Sequence, residues 1–396
     1  MSFGINRFIL LLFSYVKFFY YLFLDIFIKK TTPIPSVKKS LLIIKLDEIG
    51  DYIFFRNLLQ EIRNSKRFRG FSITLCGNIA WQTLAEKLDK EFVNGFIWID
   101  KKKLLNKFVY RSTILKHIRN TEYSIVINAS YSRNFYLDDT VVKWTQTPNK
   151  IGFVTDLSNS FSWQKLISDR YYTELIDTES ERFEFYKNQI FISKIIDERI
   201  MVKRPFIDTE HLKNKLTLNE DYIVFYMGGR RKYKRWAVKN FVTIAKALSE
   251  ELIFKLVLVG SESDKLFSSK FLSFYNPIHI VDLTGSTDLI ELISVLKNAK
   301  LVLSNDSAIA HISAIVSTST FVLLNGTHYG RFFPYPREMG LEVKSFFPPE
   351  IVNKSEDNNY LRKRFKYRST LDINTIEPVK IITKIFENVE LKDIDT

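Results

Sequence analysis

Short apolar runs recur along this chain, each closed by a polar turn and followed by apolar residues spaced three and four apart. The first clear case is Leu41-Leu42-Ile43-Ile44, a run without alternation, as in strands buried on both faces of a parallel sheet. Asp47-Glu48-Ile49-Gly50-Asp51 follows as a turn. A helix is expected over 52–64, with Ile53, Leu58, Leu59 and Ile62 inward. The pattern then predicts strands at 71–75, 96–99 and 123–128, helices at 80–88 and 104–119, and an irregular stretch at 151–180. A second cycle begins after Pro205. It predicts strands at 222–226, 254–259, 278–282, 301–303 and 320–324, and helices at 238–248, 289–298, 307–316 and 374–389. Such alternation predicts open α/β sheets. Polar and charged residues interrupt it near 200–218. Two similar Rossmann-like domains are therefore expected, residues 37–205 and 206–396, with parallel sheets facing across a cleft.

Residues 1–36 stand apart. Residues 8–16 and 18–24 are almost wholly apolar, interrupted by Lys17 and Asp25, and Lys29, Lys30, Lys38 and Lys39 follow. A cleaved leader lacks an Ala-x-Ala-like site before Pro33. Residues 8–28 reach the length of a membrane span, but Lys17 would sit near its middle. A helix lying in the membrane interface, with its lysines reaching outward, fits as well. A helix packed on the protein itself is the fourth reading. The stretch at 31–39, with Pro33 and Pro35, reads as a linker.

Composition narrows the function. The 396 residues are 46% hydrophobic, enough for two ordinary cores. There are 58 Lys and Arg against 44 Asp and Glu, a net charge of +14. Such a balance favours an anionic partner without choosing among nucleic acid, acidic lipid and a phosphorylated substrate. With a single cysteine, Cys76, there is no disulfide framework, and Cys76 reads as an inert strand-end thiol. The five histidines show no metal-ligand spacing, and Asp138-Asp139 reads as a loop, so no metal site is expected. Gly-x-Gly-x-x-Gly, the P-loop and Gly-x-Ser-x-Gly are absent from the sequence.

Candidate chemistry clusters where strands end, the place ligands occupy in open α/β sheets. Ser304-Asn305-Asp306-Ser307-Ala308-Ile309-Ala310-His311 brings a carboxylate and the unpaired N–H groups of a helix start to one spot, suited to a phosphate and a polyol. Asp306 could equally be a plain helix cap. Asp51 is either a general base or a helix cap, and spacing alone favours the cap. Five basic residues in six positions, Arg230 to Arg235, follow Gly228-Gly229 and could neutralise a diphosphate. Their place at a strand end favours a phosphate site over a nucleic-acid patch. Glu262 follows another strand, where it is either a ribose ligand or a solvated loop residue.

Together these motifs resemble glycosyltransferase family 9, the ADP-heptose–lipopolysaccharide heptosyltransferases. The resemblance rests on Leu42 to Asp51 ending in Gly50-Asp51, on Lys234-Arg235-Trp236, on Gly260-Ser261-Glu262, on Leu283-Thr284-Gly285 with Leu289 and Glu291, and on Ser304 to Ser307 with His311. It implies a GT-B fold and an inverting, metal-independent transfer, without a cofactor, from a nucleotide-diphosphate sugar to a lipid-anchored saccharide. It implies Asp51 as base and Lys234 as stabiliser of the leaving diphosphate. The donor contacts it implies are Glu262 on the ribose, Asp306 on the sugar and the N–H groups of Ser307 and Ala308 on phosphate, with His311 supporting. Gly50, Gly228, Arg230, Thr284, Gly285 and Asn305 complete the expected binding set. The work would be done at the cytoplasmic face of a bacterial inner membrane, against an anionic surface and with no nucleic-acid partner. The family often has Gly where Ala308 stands and Gly-Pro-Thr where Asn325-Gly326-Thr327 stands. These departures leave room for a non-catalytic sugar-nucleotide-binding or scaffold protein.

Overall fold

The computed structural model describes residues 2–26, 28, 39–210, 212, 218, 220–251, 254–277 and 279–394. The expected linker around Pro33 and Pro35, with Lys29, Lys30 and Lys38, lies outside the described residues. The chain divides into two compact units. One comprises Met1–Glu181 and Tyr186–Met201, the other Arg182–Phe185 and Val202–Thr396.

Among the described residues of the first unit, six parallel strands form one sheet: β1 (Ser40–Lys45), β2 (Ser72–Asn78), β3 (Gly95–Ile99), β4 (Ile125–Asn128), β5 (Lys150–Phe153) and β6 (Glu174–Ile176), in the order β3-β2-β1-β4-β5-β6. The second unit repeats this with β7 (Tyr222–Tyr226), β8 (Lys255–Leu258), β9 (Ile280–Asp282), β10 (Leu301–Asn305), β11 (Thr320–Leu323) and β12 (Val343–Phe346). Their order is β12-β11-β10-β7-β8-β9, again parallel throughout. Each sheet therefore reverses its strand order once, between β1 and β4 and between β7 and β10. At such a switch point successive connections leave towards opposite faces, which opens a crevice beyond the carboxyl ends of the two strands. The apolar runs build these sheets because both faces are covered: β1 and β7 are buried along their whole lengths. Leu42, Ile44, Val126 and Ile118 centre the first core, and Phe225, Phe241, Leu303 and Phe321 the second.

Several local expectations change. The helix expected over 52–64 is two pieces, Ile49–Ile53 and Leu58–Asn64. The one expected over 104–119 breaks at Lys107, whose extended backbone separates Lys101–Asn106 from Phe108–Asn120. The irregular stretch contains β5, β6 and the helix Ser162–Ser168. Asp138-Asp139 is not a loop: both carboxylates are buried in the first turn of the helix Asp138–Trp144. Cys76 lies fully buried within β2, where desolvation pushes its thiol well above the usual range. The N-terminal segment is a helix, α1 (Ser2–Ile26). Among the described residues no helix is long and apolar enough to cross a membrane.

Candidate functional site

In the second unit the switch point is held together by one amide. The side chain of Asn305, the last residue of β10, is fully buried. Its Nδ2 donates to the carbonyls of Met227 (2.8 Å) and Gly228 (3.0 Å), and its Oδ1 accepts from the Trp236 N–H (3.1 Å). Where β7 and β10 stop pairing, backbone groups lose their ladder partners and a buried side chain must replace them. Asn305 thus bolts the Gly228-Gly229 turn and the end of the basic loop to β10. Gly228 has no room for a side chain, since a Cβ there would lie 2.2 Å from Asp264 Oδ1.

The basic loop then folds over this frame. Lys232–Lys234 forms one 3-10 turn, and Lys234 Nζ meets Asp306 Oδ2 at 2.5 Å. Arg235 folds back to donate to the Gly229 carbonyl, while Arg230 is exposed. Asp306 does not cap the helix. Ser307 occupies the cap position with extended backbone (φ −158°, ψ 170°) and makes no side-chain capping bond, and the helix runs Ala308–Ile315. Its first N–H groups therefore open beside the Lys234–Asp306 pair.

His311 is buried one turn in, stacked 4.6 Å from the Phe333 ring, with Nδ1 2.9 Å from the Tyr335 hydroxyl. Burial lowers its pKa to about 4 despite the opposing charge of Asp306, so the imidazole is neutral near pH 7. It offers packing and a hydrogen bond rather than charge.

The loops after β8 and β9 meet as well. Glu262 opens a 3-10 turn and is solvent-exposed, pairing with Lys265 at 2.9 Å. Gly285 lies directly under it: at φ +75°, a Cβ there would fall 2.5 Å from Glu262 Oε2. Thr284 is buried, its N–H bound to Asp282 Oδ1. Asp264 escaped the sequence reading. Its carboxylate accepts from the N–H and hydroxyl of the cap residue Ser261 and lies against Gly228, and it joins burial in pushing the Tyr226 phenol upward.

In the first unit, Gly50 and Asp51 are helical, inside the turn Ile49–Ile53. The cap position is Glu48, so the capping role that spacing favoured for Asp51 is not the one it takes. Behind this turn lies a polar cluster that the sequence reading missed. Lys45, wholly buried at the end of β1, donates to the Ala129 carbonyl (2.8 Å) across the switch point and pairs with Asp47 Oδ2 (2.8 Å). Burial raises the Asp47 pKa, but the Lys45 ammonium, the Ser130 hydroxyl and the Lys101 charge together hold the carboxylate below its ordinary value. Asp138, which accepts from the Asn134 N–H at 2.7 Å, goes the other way, pushed to about 8 by burial and by the Asp47 charge. The available signal was Lys45 itself, a cation ending a run otherwise apolar enough to be buried on both sides. Among the described residues no group of three or more His, Cys, Asp or Glu could hold a metal ion.

Comparison with known proteins bears on the family and the fold. A family model described as glycosyltransferase family 9 (heptosyltransferase) matches residues 111–342, more than half of the chain. Lipooligosaccharide heptosyltransferase 2 of Haemophilus ducreyi is 28% identical over 87 residues, which span 21% of this chain and 25% of that protein. Two solved structures from E. coli share the fold. ADP-heptose LPS heptosyltransferase II superposes with a TM-score of 0.65 at 15% identity, covering 89% of this chain and 99% of that one. Heptosyltransferase WaaC with ADP gives 0.66 at 14% identity, covering 88% and 99%.

Proposed function

The chain belongs to glycosyltransferase family 9, and on that premise we propose that it transfers a sugar from a nucleoside-diphosphate donor to a hydroxyl of a lipid-linked saccharide of the lipopolysaccharide type. The observation that carries the reading is the Lys234–Asp306 pair beside the helix start at Ala308. A cation and a carboxylate next to a helix start at a switch point support a site for a sugar diphosphate. The E. coli relatives, an ADP-heptose heptosyltransferase and an enzyme solved with ADP, support ADP-heptose as the donor.

In the proposed reaction Asp51 takes the proton of the acceptor hydroxyl as its oxygen bonds to the anomeric carbon. Attack comes from the face opposite the leaving group, so the configuration inverts. The bond from that carbon to the β-phosphate oxygen breaks, and the nucleoside diphosphate leaves with the electron pair. Lys234, the N–H groups of Ser307 and Ala308, and Arg230 neutralise the departing charge, so the step needs no metal. Asp306 accepts hydrogen bonds from the sugar, and Glu262 over Thr284-Gly285 accepts them from the ribose. Gly50 and Gly228 keep the backbone close to the ligands, while Asn305 and neutral His311 hold the donor loops in place. The acceptor being lipid-linked, the reaction is assigned to the cytoplasmic face of a bacterial inner membrane.

Asp51→Asn tests the base. Turnover is expected to fall by about 10²–10⁴-fold, with nucleotide affinity measured by calorimetry unchanged. Undiminished turnover would remove Asp51 from that role. Ala308 keeps the non-catalytic reading in view; a purified chain that binds the donor but transfers to no lipid-linked acceptor would favour it.

A further inference from the structure

Helix α1 packs on the first unit through Ser14, Tyr21 and Asp25 together with partly buried Phe18 and Leu24, and its outward side is apolar where a helix packed on a protein in water would be polar. Ser14, Tyr21 and Asp25 are buried, at spacings that share one helix face. Asp25 pairs with buried Arg111 (Nε–Oδ1 3.0 Å), the Tyr21 hydroxyl donates to the Leu105 carbonyl (2.5 Å), and the Tyr136 hydroxyl donates to the Ser14 carbonyl (2.7 Å). Even Lys17, which argued against a membrane span, has its ammonium 4.6 Å from the Tyr136 ring centroid. The opposite face carries Leu12, Phe13, Val16, Phe19, Phe23 and Ile26, between 56% and 71% exposed. Phe108, Val109 and Leu166 are also exposed, on helices whose Arg111 and Trp163 contact α1. Exposed Lys102, Lys103 and Lys107 flank Leu105, the residue that α1 grips.

We propose that this face is a monolayer-insertion surface: α1 lies in the plane of an anionic phospholipid bilayer, clasped to the first unit by Asp25–Arg111, with its aromatic side in the acyl boundary. A helix whose polar side is committed to protein contacts cannot also be surrounded by lipid, so the apolar half enters and the axis stays parallel to the surface. Lipid repays exposure of an uncharged stripe about four turns long, and the lysines add attraction to anionic headgroups. The sugar-transfer reading could fail without touching this surface.

The test uses the purified full chain and extruded vesicles of phosphatidylglycerol with phosphatidylethanolamine. The chain is expected to float with them, and the Phe13→Ser, Phe19→Ser, Phe23→Ser triple variant to bind at least tenfold less with an unchanged thermal midpoint. Equal flotation of the triple variant would overturn the proposal. So would a parent that ignores the vesicles and instead forms a dimer that the triple variant abolishes, since the face would then belong to a second copy. Orientation is read from an environment-sensitive label on Phe13→Cys and, separately, Phe23→Cys, the native Cys76 being buried. Ten residues separate the labels by about 15 Å along the axis. Brominated lipids should quench both at one depth; depths differing by most of that distance would mean a spanning helix and sink the in-plane assignment.

Discussion

Lys234 and Asp306 are 72 residues apart in the chain and meet at 2.5 Å, both partly shielded from water. Lys234→Ala should weaken nucleoside-diphosphate binding about tenfold, the scale of one charge-assisted hydrogen bond, and lower turnover as well. Calorimetry with ADP checks this, and an unchanged affinity would move the phosphate contact elsewhere in the basic loop. Asn305 is the more structural residue. Asn305→Ala leaves three buried backbone groups without partners, so unfolding in urea should show a loss of about 2–4 kcal/mol. Chemical type and strand-end position made Lys234, Glu262 and Asp306 visible in the sequence. Asp264 was not, because its significance lies in its approach to Gly228, thirty-six positions earlier and on another loop.

Among the elements, the helix Asp138–Trp144 shows best what pattern reading misses. A pair of adjacent acids reads as solvated chain, yet here both are buried at a helix start. The neutral form of Asp138 is favoured in the folded state, with its pKa at about 8 against an ordinary carboxyl near 4. Between those values the folded chain binds a proton that the unfolded chain does not, so stability falls as pH rises through that window. The thermal midpoint should therefore drop from pH 6 to pH 9, and Asp138→Asn should flatten the drop. A parallel decline in the variant would assign the effect to another group. The helix Ile49–Ile53 is shorter than the apolar spacing suggested and starts three residues earlier, which brings Asp51 from the turn into the first helical turn.

Taken whole, the molecule is two Rossmann-like units with the same strand order and separate cores. ADP at a hundredfold excess over its Kd should stabilise the second unit by about 2.7 kcal/mol. Calorimetry is expected to show one transition moving upward while the other stays; movement of the first unit's transition alone would relocate the nucleotide. The alternation of strands and helices, the doubled architecture and the order of the motifs were determined by the sequence itself, because apolar periodicity and turn chemistry act over a few neighbouring residues. The tertiary structure alone decided which groups close each switch point and which side of α1 is protected. A helical wheel displays both stripes of α1. The choice between them was made by Arg111 and Tyr136, whose bonds to the helix span 86 and 122 residues. Buried polar groups must find partners wherever the fold brings them, and no local pattern records that meeting.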